Sequence, residues 1–347
     1  MDFPIVYAVK HKNFDVRMAS RSGGIFTAVT DEVLRKGGIV YGCAMNWAME
    51  AVHIRAQTRK ERDRMRGSKY VQSNMADTFQ GVLEDLNAGR RVLFSGTSCQ
   101  VAGLKAFLSK DYGDRLFCLD ILCHGVPSPL ILKKYLEWQE EQNKAKCIEV
   151  DFRNKKDFGW AVHVESLKFE EPDGEVKTIN SKVFANIFCS DKALRGSCYV
   201  CPYKDIAHPG DMTIGDFWGV NRAVPDFDDD CGSSLVLINT KNAQKLFDAV
   251  KKKLDYHPCR IEDSMQTSLK KPFPRPRKWE QFWDDFYGQP FDYIAKKYGH
   301  YSEESSERIS DMAKEHLERM EERQKNMEKK GVISKLSDSW KKITEKS

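Results

Sequence analysis

Between residues 5 and 125 the hydrophobic pattern switches period repeatedly, and that alternation restricts the chain to few folds. Residues 5–10 (Ile-Val-Tyr-Ala-Val-Lys) are β-branched and aromatic, the composition of a strand. Ile25, Phe26, Val29, Val33 and Leu34 then fall on one helical face, which Gly37 and Gly38 end. Strand-like stretches follow at 39–45 and 52–57. A helix near 75–88 carries Met75, Phe79, Val82, Leu83 and Leu86 on one side. Val92, Leu93 and Phe94 read as a short buried strand, a helix runs from there to Leu108, and 116–121 is strand again. Helices alternating with strands predict an α/β unit with a largely parallel sheet.

Beyond residue 145 the regularity stops. Strand-like pieces at 147–153, 160–168, 212–217 and 234–239, with a helix at 241–253, read as α+β. The expected fold class is therefore α/β followed by α+β: a parallel-rich sheet core with helices, plus a helical C-terminal tail. The expected organisation is a core over 1–270 (an α/β half at 1–145 and an α+β half at 146–270). A Pro/aromatic connector and helix follow at 271–300, then a charged helical tail at 301–347. In the connector helix Trp279, Phe282, Trp283, Phe286 and Tyr287 recur at helical spacing, a stripe read as packing rather than base stacking. The tail carries Met312, Leu317, Met320 and Met327, then a better apolar face of Val332, Ile333, Leu336, Trp340 and Ile343. Such a face suits docking to another subunit or a partner.

Lys and Arg number 56 against 51 Asp and Glu, a formal charge of +5 in 347 residues. That balance provides no strong field for nucleic acid. No apolar run approaches the roughly 18 residues of a membrane helix. The start, Met1-Asp2-Phe3-Pro4, lacks the basic flank and apolar stretch of a signal peptide. The chain therefore reads as cytoplasmic, where ten cysteines do not form a disulfide framework.

Cys198 and Cys201 are the one close pair. Two intervening residues let both sulfurs face one metal, as in zinc and iron–sulfur sites; a redox dithiol uses the same spacing. Pro202 follows directly and no helix opens after a strand there, which weighs against disulfide exchange. Cys99 sits where a strand turns into a helix, and Cys123 ends another strand pattern. If both strands lie in one parallel sheet, both sulfurs emerge at its carboxyl edge, where open α/β sheets place ligands. Each alone reads as a small buried residue; with the pair, four thiolates at one site become the better reading. Cys43, Cys118, Cys147 and Cys189 are assigned to the core, while Cys231 and Cys259 stay undecided.

Arg21-Ser22-Gly23-Gly24 at a helix start, residues 67–73 (Gly-Ser-Lys-Tyr-Val-Gln-Ser) and Gly96-Thr97 offer turns, amides, hydroxyls and a cation suited to phosphates. A plain helix cap competes with the first of these. No GxGxxG follows the first strand, so an ordinary Rossmann dinucleotide site is not supported. His124 either transfers a proton or caps a turn. Asp226, Asp228, Asp229 and Asp230 fit no EF-hand spacing and read as a solvated loop.

Seven strings occur in one order. They are Ser22-Gly23-Gly24, the 67–73 segment, Gly96-Thr97-Ser98-Cys99-Gln100, residues 123–128 (Cys-His-Gly-Val-Pro-Ser), the Cys198/Cys201 pair, Gly215-Asp216-Phe217-Trp218-Gly219 and residues 234–240. That order resembles the coenzyme F420 hydrogenase/dehydrogenase beta-subunit family of iron–sulfur flavoproteins, over roughly residues 5–260. The resemblance implies FAD and one 4Fe–4S cluster, with flavin contacts at Ser22, Gly23, Gly24, Ser68, Lys69, Tyr70, Gly96, Thr97 and Gln100. It likewise assigns Cys99, Cys123, Cys198 and Cys201 to the cluster. The family's common Gly-Thr-Pro-Cys reads Gly-Thr-Ser-Cys here. Many relatives begin with a two-cluster ferredoxin domain that this sequence lacks, so a long electron path is expected on a partner.

The function expected from these readings is an FAD- and 4Fe–4S-dependent oxidoreductase with His124 as the proton-managing residue. It would exchange hydride with a small deazaflavin-like carrier, and single electrons with a ferredoxin-like protein or a hydrogenase/dehydrogenase subunit. The alternative is a zinc-stabilised scaffold in a polysaccharide-biosynthesis setting; a thiol–disulfide enzyme ranks last.

Overall fold

A computed structural model describes residues 3–329. Among the described residues eleven strands form two sheets: β1 (Ile5–His11), β2 (Ile39–Met45), β3 (Ala51–Ala56), β4 (Val92–Thr97), β5 (Leu116–Ile121), β6 (Lys146–Asp151), β7 (Glu165–Glu170), β8 (Val176–Ser181), β9 (Met212–Asp216), β10 (Ser234–Ile238) and β11 (Leu254–Cys259). The larger sheet has eight strands in the order β11-β1-β10-β9-β5-β4-β2-β3. Its centre, β2-β4-β5-β9, is parallel, as the alternation predicts. Its margins, with β3 on one side and β10, β1 and β11 on the other, are antiparallel.

Strand β4 shows why the centre is stable. Val92 and Phe94 face the helices Thr78–Asn87 and Ser98–Leu108, packing with Val82, Leu86, Val101 and Leu104. Leu93 points the other way, into the layer of Ile25, Val29, Ala243 and Phe247 from the helices Ile25–Arg35 and Lys241–Val250. Successive side chains alternate between faces, so a strand covered on both sides reads as a continuous apolar run.

The segment 146–270 divides its strands between the sheets: β6, β7 and β8 form a separate antiparallel sheet, while β9, β10 and β11 complete the large one. The helices Pro129–Asn143 and Val183–Cys189 pack on the small sheet together with Trp279–Gly288 and Phe291–Gly299. Phe282 and Phe286 are fully buried in that layer, so the inner side of the aromatic stripe is packing, as expected, while Trp279 and Trp283 are half-buried and Tyr287 is exposed.

Two expectations change. The helix Glu303–Lys329 lies against the short helix Lys155–Phe158 and β8 of its own chain. Ile309, Met312 and Ala313 meet Phe158 and Val164 there, so this part of the tail docks at home. The face of Val332, Ile333, Leu336, Trp340 and Ile343 lies outside the described residues. Among the cysteines assigned to the core, Cys118 and Cys147 are buried, but Cys189 is exposed because it ends its helix beside His163. Cys43 is partly covered. No helix among the described residues is long and apolar enough to cross a membrane.

Candidate functional site

The parallel centre brings its carboxyl ends to one edge. Thr97 of β4 pairs with Ile121 of β5, and Ile121 pairs with Ile214 of β9. Asp216, closing β9, pairs with Ser234, which pairs with Val9 near the end of β1. Cys99, Cys123, the residues after Asp216 and the loop after β1 therefore leave the sheet on the same side, where ligands of open α/β sheets sit.

Cys99 opens the helix Ser98–Leu108, exposed, with its Sγ 3.1 Å from the Thr97 hydroxyl. The loop after β5 is tied to the Cys198/Cys201 segment by Arg195 N–H donating to Val126 O (3.0 Å) and by a bridge between Pro127 and Leu194. Gly125 has φ +142°, and a Cβ there would meet Leu194 at 2.8 Å, so glycine allows this close approach. Lys204 caps the arrangement, its ammonium donating to the carbonyls of Cys123 and of His124 (2.9 Å).

The four sulfurs named from the sequence face a common region. Cys123 has Cys198 and Cys99 as charged neighbours, Cys198 has Cys201 and Cys99, and Lys204 faces Cys123, Cys201 and Cys198. Consecutive amides serve two of them: Gly125 N–H donates to Cys123 Sγ and Val126 N–H to Cys198 Sγ. Such bonds favour thiolate and tune iron–sulfur potentials. Burial first, and then the neighbouring thiols, push the Cys123 thiol up to about 12 and raise Cys198. A cation among them reverses that preference by binding the deprotonated form.

Spacing separates the candidate metals. Among the described residues only Glu171, Asp173 and Glu175 bring three possible ligands within 4.8 Å of one another, so no three of these sulfurs do. A tetrahedral zinc with sulfurs at about 2.3 Å would hold them roughly 3.8 Å apart. A cubane presents one iron per thiolate and spreads its ligands further.

The glycine-bearing loops flank the same edge, but their side chains are largely engaged. Ser22 Oγ donates to Ser233 O (2.7 Å), Gly23 N–H donates to Ser234 Oγ (2.8 Å), and His11 N–H donates to Gly23 O (2.7 Å). A Cβ on Gly23 would lie 2.1 Å from Val9 O, so this glycine is required by the chain's own backbone. Gly24, at φ +91°, opens the helix Ile25–Arg35 with no capping side chain. Lys69 folds back on the carbonyls of Arg64, Arg66 and Gly67 (3.2, 2.8 and 3.2 Å), and burial lowers it to about 8. Gln100 Oε1 accepts from Thr97 N–H (2.9 Å) while its amide donates to Ser73 Oγ (2.8 Å), joining the β4 turn to the 67–73 segment. Gly96 is confined by Gln100 and Phe94, and Ser68 is half-buried. Tyr70 stacks on Phe188 (4.8 Å between centroids), and its hydroxyl accepts from Arg153 (3.3 Å). To a flavin these loops offer shape and amides more than free side chains.

His124 Nε2 lies 2.5 Å from Asp191 Oδ1, with its ring against Phe273 and Phe188. Sequence reasoning missed a neighbouring polar cluster. Arg153 Nη1 donates to Asp216 Oδ2 (2.6 Å), Trp160 Nε1 to Asp216 Oδ1 (3.0 Å), and Trp160 stacks on Trp218 at 4.8 Å. Arg153 and Arg21 hold the Asp216 carboxyl below its ordinary value against its burial, and burial drives His163 down to about 3. A second missed cluster underlies Cys99. Asp120 accepts from the Ser98 hydroxyl (2.8 Å) and the Thr213 hydroxyl (2.6 Å), and its Oδ2 lies 2.9 Å from His208 Nδ1. Asp216 and Trp218 of the first cluster lie in the Gly215–Gly219 string, which carried no assigned role, and the only signal for the second was Asp120 within an apolar strand pattern. The acidic loop also departs from its solvated reading, since Asp229 pairs with Arg17 and Lys10 and Asp230 accepts from Trp160 N–H (2.9 Å).

Cysteine sulfurs gather with a lysine at the carboxyl edge of this mixed α/β sheet. The family model for the C terminus of the coenzyme F420 hydrogenase/dehydrogenase beta subunit matches residues 89–263, half of the chain, and the chain belongs to that family. It is accordingly an oxidoreductase-type, electron-transfer protein. A chain of the F420-reducing [NiFe] hydrogenase complex from Methanosarcina barkeri is similar at 18% identity and a TM-score of 0.49, covering 91% of this chain and 92% of that one. No curated protein matches.

Proposed function

We propose that the chain is an FAD- and 4Fe–4S-dependent oxidoreductase, exchanging hydride with a deazaflavin-like organic carrier and single electrons with a protein partner. Cys99, Cys123, Cys198 and Cys201 hold the cluster. Ser22, Gly23, Gly24, Ser68, Lys69, Tyr70, Gly96, Thr97 and Gln100 shape the flavin site. In this reading residues 1–270 form the redox core, 271–300 brace it, and 301–347 are accessory. The partner is a ferredoxin-like protein or a hydrogenase/dehydrogenase subunit in the cytoplasm.

The carrying observation is the gathering of Cys123, Cys198 and Cys201 around Lys204, with Cys99 beside Cys123 and Cys198, spaced more widely than one zinc ion requires. When bound, the flavin supplies hydride chemistry and the cluster one-electron transfer. The protein's residues do the rest. Lys204 offsets thiolate charge, and the amides of Gly125 and Val126 stabilise the deprotonated sulfurs. His124, oriented by Asp191 through Nε2, has Nδ1 left to hold or pass a proton.

Strictly anaerobic purification followed by iron, sulfide, zinc and flavin analysis tests this reading. It predicts about four iron and four sulfide per chain, the content of one cubane, together with FAD. Stoichiometric zinc with neither iron nor flavin would support the scaffold alternative instead.

A further inference from the structure

We propose that the basic segment 270–278, with Arg195, is the docking face for an acidic electron-transfer protein, which it brings up to the Cys198/Cys201 loop. The proposal deepens the reading above and rests on it only for the partner's being an electron carrier.

The observation is unpaired charge held against the sulfur loops. Between Asp263 and Glu280 the sequence carries Lys270, Lys271, Arg275, Arg277 and Lys278 and no acidic residue, a local surplus equal to the +5 of the whole chain. All five residues are exposed. Arg275 reaches Glu280 at 3.9 Å and lies over the Trp279 ring. Lys270, Lys271, Arg277 and Lys278 pair with no carboxylate among the described residues. Pro272, Pro274 and Pro276 stiffen the segment, which is neither helix nor strand over 271–276.

Contacts fix where this charge sits. The Phe273 ring lies 4.2 Å from the His124 ring, and the Lys204 ammonium lies 5.0 Å over it, the same ammonium that donates to the Cys123 carbonyl. Trp279 packs on the group of Phe188, Leu194 and Tyr199, which Cys198 also joins. The strap is thus pinned near both ends to the loops that bear Cys123 and Cys198, and its cations stay exposed beside them. Arg195, exposed and without a carboxylate partner among the described residues, leads into the Gly196–Val200 turn and acts on Cys198 as a positive charge. Val200, between the two cysteines, is 77% exposed. A small apolar tip rimmed by one sign of charge suits a transient, electrostatically steered complex with a partner of the opposite sign. Nucleic acid fits less well, because Phe273 and Trp279 face this chain's own residues and do not stand free to stack on bases.

The test uses the full chain, prepared anaerobically, as wild type and as two charge-matched variants, with folding checked by circular dichroism. One variant combines Lys271→Glu, Arg277→Glu and Lys278→Glu. The other combines Lys110→Glu, Lys241→Glu and Lys245→Glu, which lie towards the opposite edge of the sheet, before β5 and on the helix that follows the end of β10. The probe is an acidic plant-type 2Fe–2S ferredoxin, titrated by calorimetry at low and at high salt. The wild type should bind it, and more weakly as salt rises. The first variant should lose about tenfold or more in affinity, while the second stays within about threefold of the wild type. A third variant, with Lys271→Gln, Arg277→Gln and Lys278→Gln, should lose part and decides the matter if the first does not fold. No binding by the wild type, equal loss in the two charge-matched variants, or tighter binding of a short DNA duplex than of the ferredoxin overturns the docking face. Iron and flavin are measured separately in the same preparations. A wild type that binds the ferredoxin through the strap but holds neither cofactor counts against the proposed function and leaves the acidic docking face standing; one that holds both but ignores the ferredoxin does the reverse.

Discussion

The sulfur-bearing loops and the glycine-bearing loops flank the same edge of the sheet, yet they use their residues in opposite ways. Around Cys99, Cys123, Cys198 and Cys201 the backbone forms the scaffold, and the thiols face one another. Around Ser22, Gly23 and Gln100 the candidate groups are themselves the scaffold, bonded to Ser233, Ser234, Thr97 and Ser73. A motif residue can therefore mark a site by shaping it without touching the ligand.

The largest expected effect tests the scaffold side. Gly23→Ala places a methyl 2.1 Å from Val9 O, so it should cost more than about 4 kcal/mol in urea unfolding or prevent folding. Gly67→Ala, with open space around its φ of +78°, should cost about 1–2 kcal/mol. Equal losses would erase the distinction between a glycine needed for space and one needed for backbone conformation.

Asp120→Asn probes the support beneath the sulfur side. It weakens acceptors for Ser98, Thr213 and His208 and should cost about 1–3 kcal/mol. Loss of iron without loss of stability would instead give Asp120 a direct role at the cluster.

A smaller effect lies away from both regions. Glu165 is buried, accepts from Phe184 N–H (2.8 Å), Ala185 N–H (3.2 Å) and the Tyr135 hydroxyl (3.1 Å), and is raised by burial to about 7. Its folded-state value exceeds the unfolded one, so the native state binds the extra proton. Stability from this group is complete below about pH 4.5 and declines as pH rises towards 7. Glu165→Gln should flatten that decline in Tm measured across this range; an unchanged slope would assign it to other groups.

Much of the fold was legible because its signal is local. The parallel centre follows from period changes within residues 25–121, and the carboxyl-edge position of Cys99 and Cys123 follows from strand ends. The return of β9, β10 and β11 beside β1 was not legible, since antiparallel pairing such as Val9 with Ser234 leaves no mark near either residue. The same holds for Arg153 with Asp216 and for Asp229 with Arg17, whose partners are distant along the chain. Cys189 misled because its helix is apolar apart from Asn186, yet its last residue is exposed.

Iron and sulfide content in single Cys→Ser variants tests the central claim most directly. Anaerobically prepared Cys99→Ser, Cys123→Ser, Cys198→Ser and Cys201→Ser should each lose most of their iron, while Cys118→Ser and Cys147→Ser, whose thiols are buried in the two cores, keep it. Equal iron in all six variants would contradict the assignment.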